Sequence, residues 1–409
     1  MIKIICKIGY LPALLLILCL AGDRTVSAEA PHLYAVQGAR VHTVSGPVLE
    51  NATILIGNGS IQEIGVGISL PGDVAVIEGK GLDVYPGWID MANSAGFSAD
   101  TSAAAAAREA KTRLEAERVY RQALLRSQVK AASLIKAEMP EWKKYALQGI
   151  TSLLAVPAGE GIQGQSALVN TAIPEDIPQI SQIADERRGL YVLKSPVALH
   201  ISYPERGSFN TYPGSLMGAI AFIRQAFLDA GHYHMQMEHY RKSGGGAARP
   251  VYDAALEGLY PALEKTLPVV FKAGSTVEMR RVLAMAREFR LEPIILGGLG
   301  SEPITEELKG QKARIIYSLN FPVRPKTLAP DADEPLRTLR ERADAPKIPS
   351  ILDRQGIPYV FASSGLKEPK DLLSNVRRIV KAGLPPEKAL RALTLQAATW
   401  AGVAGRLGS

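Results

Sequence analysis

The chain has 409 residues, with 47 Lys or Arg against 40 Asp or Glu and a net charge of +7. So small an excess over so long a chain is not the footprint of a nucleic-acid-binding protein, and no nucleic-acid partner is expected. Both cysteines, Cys6 and Cys19, fall in a leader-like opening, so a mature chain without it has no disulfide, zinc–thiolate site or catalytic cysteine.

Lys3 and Lys7 give that opening a basic start, Leu11 to Ala21 an apolar run, and Val26-Ser27-Ala28 a small-residue cleavage site. The pattern predicts a signal peptide over residues 1–28 and a periplasmic or secreted protein. The apolar run has about 11 residues where a membrane-spanning helix needs roughly 20, so no stable membrane span is expected. Leu18 before Cys19 lacks the small side chain of a lipoprotein-processing site, which disfavours lipid anchoring. Lys3, Lys7, Asp23 and Arg24 leave with the leader and take the charge from +7 to +5.

Residues 29–85 hold short β-like runs at Tyr34 to Val44, Ala52 to Ile56, Ser60 to Ile64, Val74 to Glu78 and Leu82 to Tyr85. Asn58-Gly59 between two of them is a strong hairpin signal. These runs predict a small β-sandwich.

From Pro86 to Ser409 apolar runs of strand length alternate with helical stretches, the pattern of a parallel sheet with crossover helices. Strands are predicted at Gly87 to Met91, Thr151 to Val156, Tyr191 to Ser202, Val269 to Lys272, Pro293 to Leu296, Arg314 to Leu319 and Tyr359 to Ala362. Helices are predicted at Leu216 to Leu228, Tyr252 to Glu264, Thr276 to Phe289, Pro335 to Arg342, Lys370 to Ala382 and Pro386 to Leu395. Seven or eight such units fit a (β/α)8 TIM-like barrel, with a doubly wound open sheet as the alternative. The charged stretch Ser102 to Lys136 reads as one long helix or two, laced with pairs such as Glu115 and Arg118. Following the first strand, it could serve as a lid or docking arm.

Three constellations tempt other readings. His232, His234, Glu238 and His239 lie at helical spacing that could gather a displaced metal site, against the simpler reading of a solvent-facing helix. Gly159-Glu160-Gly161-Ile162-Gln163-Gly164 matches the dinucleotide fingerprint, but the residues beyond it are β-like where that fingerprint needs a helix. His200 sits in an apolar strand, where a core histidine is the ordinary expectation.

The nine residues Pro86-Gly87-Trp88-Ile89-Asp90-Met91-Ala92-Asn93-Ser94, with Gly38-Ala39-Arg40-Val41-His42-Thr43, Gly149-Ile150-Thr151-Ser152-Leu153, Gly164-Gln165-Ser166-Ala167, Pro330-Asp331-Ala332-Asp333 and Ala389-Leu390-Arg391-Ala392-Leu393-Thr394, carry a resemblance. Over Tyr34 to Gly365 the chain resembles the metal-dependent amidohydrolase superfamily, nearest its imidazolonepropionase-like and exported members. The resemblance implies a barrel, a sandwich made from both chain ends, and hydrolysis of carbon–nitrogen bonds other than peptide bonds. It also implies zinc or another divalent metal held by two histidines after the first strand, histidines after the fifth and sixth, and an aspartate after the eighth. Those positions carry Ala92 and Ser94, then Lys272, then Gly297-Gly298, then Ser363.

A methyl group cannot ligate a metal and a neutral hydroxyl is a poor substitute for imidazole. The sequence therefore predicts a degenerate, metal-free member with no catalytic residue, whose Asn93, Ser94, Lys272 and Ser363 could line a site for a small-molecule ligand. The last residues, Gly405 to Ser409, stop where relatives continue into strands that return to the sandwich. Ile54, Ile56 and Ile64 are then expected to be exposed and covered by an amidohydrolase-like partner chain or a continuation. The competing expectation is an active hydrolase of cyclic amides or N-acyl compounds, with a relocated or partner-completed metal site.

Overall fold

A computed structural model describes residues 33–98, 106, 109–136, 138–171, 191–204, 212–244, 246–329 and 331–409. The predicted leader and most of the Ala-rich start of the charged stretch lie outside them. The chain divides into two compact units, the first ending at Val84 and excluding residues 43–47.

In the first unit, strands β1 (Leu33–His42), β2 (Val48–Gly57), β3 (Ser60–Gly65), β4 (Ala75–Glu78) and β5 (Asp83–Val84) form one sheet in the order β3-β2-β1-β4, with β5 also on β1. β2 turns into β3 at Asn58-Gly59, both at positive φ (51° and 71°), as Asn-Gly favours. The expected sandwich is a single layer among the described residues, because β4 and β5 follow one another in parallel along the same edge of β1. Ile54 corrects a second expectation. It is 5 % exposed, in a core with Ala39, Val41 and Ala52, while Ile56 and Ile64 pack half-buried against them. Exposed apolar side chains of this unit instead include Ile61, Val66, Val76 and Ile77.

Among the described residues the second unit holds two sheets. β6 (Trp88–Asn93), β7 (Ile150–Ala155), β9 (Ala167–Asn170) and β10 (Val192–Lys194) run in the order β10-β9-β7-β6. β8 (Gly161–Gln165), β11 (Leu199–Ser202), β12 (Val269–Ala273), β13 (Pro293–Gly297), β14 (Arg314–Ser318) and β15 (Tyr359–Ala362) run in the order β15-β14-β13-β12-β11-β8. The helices are α1 (Arg113–Leu124), α2 (Ala131–Leu134), α3 (Pro140–Ala146), α4 (Leu216–Lys242), α5 (Ala254–Leu263), α6 (Thr276–Glu288), α7 (Thr305–Gly310), α8 (Leu336–Asp344), α9 (Ile348–Arg354), α10 (Lys370–Lys381), α11 (Pro386–Leu393) and α12 (Leu395–Ala401).

From β11 to β15 every pair is parallel, as is β6 with β7. The pairs β7–β9, β9–β10 and β8–β11 are antiparallel and break the all-parallel expectation. The cause is the glycine-rich segment, where Gly159, Gly161 and Gly164 take φ of 126°, 74° and 123° and let the chain fold back. The predicted strand Tyr191 to Ser202 is likewise two strands in different sheets, interrupted at Ser195-Pro196, where proline has no N–H for the ladder. Across that break the Ser166 N–H donates to the Ala198 carbonyl at 2.8 Å and the Val197 N–H to the Ser166 carbonyl at 2.9 Å.

Alternation of side chains assigns each strand two faces. Leu199, Ile201, Phe271, Ile295, Ile315 and Phe361 pack with helix residues such as Phe227, Leu259, Met279 and Ile379. Val270, Ile294, Ile316 and Val360 face the other way and join Ile89, Leu154 and Leu168 of the four-stranded sheet. The two sheets therefore share one core, which Ala397, Ala398 and Ala401 of α12 also enter.

Candidate functional site

Asp90 is the centre of the strand-end site. It is wholly buried on β6 and its two carboxylate oxygens are engaged by protein donors. Oδ1 accepts from the Ser363 N–H at 2.8 Å and the Ala92 N–H at 3.4 Å; Oδ2 accepts from Asn93 Nδ2 at 2.9 Å and the Ser363 hydroxyl at 2.5 Å. Asn93 Nδ2 also donates to Ser363 Oγ at 2.8 Å, and its Oδ1 accepts from the Ala95 N–H at 2.7 Å. Ser363 follows β15, so the cluster ties the edge strand of one sheet to the edge strand of the other. Burial holds the Asp90 carboxyl above its ordinary pKa, against the pull of the bonds from Ser363, Asn93 and Ala92.

Tyr145 of α3 completes the cluster and was not foreseen. Burial first, then the nearby Asp90 charge, push the pKa of its hydroxyl up against the pull of Asn93 and Ser363. No sequence signal marks it, because it follows a Pro-led helix start like any core aromatic. One turn earlier, Trp142 donates its indole N–H to the Ala95 carbonyl at 2.9 Å and stacks edgewise on Tyr191 at 5.4 Å. That bond holds down the chain just beyond β6.

The other sequence candidates are scattered. Ala92 is buried and presents only a methyl; Ser94 is exposed. Lys272 is the one exposed residue of β12, with no ion pair among the described residues. Gly297 and Gly298 bring no side chain, and a Cβ on Gly297 would lie 2.4 Å from the Ala273 carbonyl oxygen, so that glycine serves close strand approach. Among the described residues no three His, Cys, Asp or Glu side chains gather around one point. With Asp90 already accepting from four donors, this donor set does not fit a divalent metal.

The alternative constellations resolve into structural roles. His234 of α4 stacks on Tyr260 at 3.5 Å, and His232 bonds Gln236 at 2.9 Å. Glu238 pairs with Arg241 at 2.8 Å and Lys242 at 3.6 Å, so these groups are committed to neighbours. At the fingerprint-like glycines a Cβ would meet the Leu124 carbonyl oxygen at 2.4 Å from Gly161 and the Val129 carbonyl oxygen at 2.5 Å from Gly164. These glycines allow backbone to pack on backbone, and β8, not a helix, opens there. Glu115 does not pair with Arg118. It closes a capping box with Thr112 at the start of α1, and Arg113 pairs with Glu117 instead.

His200 forms a Ser–His pair that sequence spacing could not reveal. Its Nε2 lies 3.0 Å from Ser166 Oγ, and that hydroxyl lies 3.2 Å from the Ala198 carbonyl oxygen. A carbonyl can only accept, so the hydroxyl donates to Ala198 and takes the imidazole N–H, the reverse of the polarity that activates a nucleophile. Burial lowers the His200 pKa to about 3. The folded state keeps the ring neutral while the unfolded chain protonates near 6.5, so this contribution to stability is present above 6.5 and is lost as pH falls towards 3. An NMR titration should show the His200 ring shifts flat from pH 8 to pH 4.5; a midpoint near 6.5 would contradict its burial.

No protein-family profile and no curated protein sequence matches the chain. Solved structures do match. The amidohydrolase of Thermotoga maritima MSB8 superposes with a TM-score of 0.73 at 19 % identity, over 92 % of this chain and 90 % of that one. An uncharacterized protein matches with a TM-score of 0.51 at 14 % identity, over 92 % and 89 %. A prolidase complexed with N-methylphosphonate-L-proline gives 0.50 at 16 %, over 92 % and 89 %. At such identities the likeness is one of architecture: this chain has the amidohydrolase fold.

Proposed function

We propose that the chain is an exported, amidohydrolase-like (β/α)8 barrel that acts without a metal, as a structural or ligand-binding companion of an intact amidohydrolase. Barrel closure is supported by the connections between the sheets. Residues 161–170 and 192–202 each run through both sheets while staying bonded to each other at Ser166, and the Asp90–Ser363 bonds join β6 to β15. Counting each of those two segments once gives eight staves, the third reversed.

The observation that carries the functional reading is the engaged carboxylate of Asp90. Around Ser363, where the resembled family would place its aspartate, this chain builds a closed hydrogen-bond cluster with Asp90 and Asn93. The exposed Ser94 and the exposed Lys272 leave polar groups near the strand ends for a small ligand. The purified protein, assayed on cyclic amides and N-acyl amino acids with added Zn²⁺ or Mn²⁺, is expected to show no turnover above buffer. Turnover that disappears with Lys272→Ala would overturn the proposal in favour of hydrolysis at this mouth. Export from residues 1–28 belongs to the same proposal, its test being the N-terminal residue of protein recovered from the periplasm or medium.

A further inference from the structure

Among the described residues, the inner face of α1 meets a space rather than a neighbour. Leu114, Glu117, Arg118 and Arg121 recur at helical spacing along it, yet no residue of α1 is buried. They form one wall of a groove of about 430 Å³ whose other wall is the first half of α4. Its floor is apolar, made by Leu125, Phe222 and Ala226, each under a tenth exposed. Tyr212 also lines it, with its ring 6.2 Å from that of Phe222. The volume lies within the range of small-molecule sites.

The charges around this groove are unequally satisfied. Glu117 pairs with Arg113 at 2.8 Å and Arg121 with Asp253 at 3.7 Å. Arg118 has no anionic partner among the described residues. On the opposite wall Asp229 takes only an amide bond from Gln225, at 2.7 Å, and has no cationic partner there. A guanidinium and a carboxylate thus line one groove, across an apolar floor, without pairing with each other.

We infer that this groove binds a small zwitterion with a large apolar side chain, an amino acid in chemical class. Its carboxylate meets Arg118, its ammonium meets Asp229, and its side chain lies on Phe222, Leu125 and Ala226. Each end group supplies a charge-assisted hydrogen bond, which is worth more than a neutral one. The inference does not depend on the Asp90 cluster.

Calorimetric titration of the full chain with L-phenylalanine tests it, beside N-acetyl-L-phenylalanine and L-phenylalaninamide, each of which lacks one charge. L-phenylalanine is expected to bind, and each blocked analogue to bind about tenfold more weakly or worse. Arg118→Gln and Asp229→Asn change groups at the surface, so the fold is retained, and each should weaken L-phenylalanine by a similar factor. Absence of L-phenylalanine binding, equal binding of the analogues, or unchanged binding by either variant would overturn the inference.

Discussion

Replacing Asp90 by Ala should lower the thermal midpoint by roughly 4 °C, a loss of about 3 kcal/mol. The substitution leaves the buried Ser363 N–H without an acceptor and frees the Ser363 hydroxyl and Asn93 amide from the group that organises them. Because Asp90 stands on the edge strand of one sheet and Ser363 just beyond the edge strand of the other, the damage falls on the seam and not on one strand. Asp90→Asn should cost only about 1 kcal/mol. Its carbonyl oxygen still accepts from Ser363 and Ala92, and the Ser363 hydroxyl can turn to accept from the new amide, while Asn93 Nδ2 loses its Asp90 acceptor and keeps Ser363 Oγ.

Comparing the two proteins across pH isolates the charge. Burial raises the folded-state pKa of Asp90 above its ordinary 3.8, so the folded protein binds the proton more tightly than the unfolded chain. That contribution to stability is full below 3.8 and is lost as pH climbs through the raised value. Stability of wild type relative to Asp90→Asn should therefore decline over this interval and then level off, as denaturation midpoints at successive pH values would show. A rise over the same interval would mean that the hydrogen bonds outweigh burial.

Gly164→Ala should be the more damaging of the two principal substitutions, by about 4 kcal/mol or more. At φ 123° the backbone is in a region that side chains other than glycine avoid, and the new Cβ would stand 2.5 Å from the Val129 carbonyl oxygen and 3.2 Å from that of Arg126. Both obstacles are backbone, so no rotamer change relieves them. Leu125, Ser127 and Ala131 in the same stretch are buried, and isolated bridges join Leu125 to Ile162 and Lys130 to Gln165. Shifting the segment would therefore disturb β8 and the groove floor together. Gly59→Ala is the control: at φ 71° with nothing within 4 Å of the new Cβ, it should cost about 1 kcal/mol. Equal stability of the two variants by chemical denaturation would contradict the packing role given to Gly164.

The parallel strands of the second unit were legible because each is a short apolar run followed by a helix with its own start signal. Thr276 to Glu288 is an example, opened by Ser275 and Glu278 as a capping box. β8 was not legible, since Gly161 to Gln165 has one apolar residue and owes its conformation to the backbone packed against it. Thr112-x-x-Glu115 is itself a capping-box pattern, which binds the Glu115 carboxylate locally before Arg118 can compete. Ile54 was misplaced because strand pattern alone does not say which face of a lone sheet gathers the small residues Ala39 and Ala52.

At the site, sequence could identify which ligand positions had changed but not what replaced them. Asp90 and Ser363 are 273 positions apart, and their bond exists only once the two sheets face each other. The Ser166–His200 pair, 34 apart, depends on the fold-back at Gly161 and Gly164 that the alternation of apolar residues conceals.

We propose that the strand-end cluster of Asp90, Asn93 and Ser363 is a hydrogen-bonded closure and not a metal centre. The most direct measurement is metal stoichiometry: protein purified without chelators, equilibrated with Zn²⁺ or Mn²⁺, desalted and analysed by mass spectrometry of the metal. The expected result is far less than one ion per chain, unchanged by Asp90→Asn. Close to one ion per chain, abolished by that substitution, would contradict it.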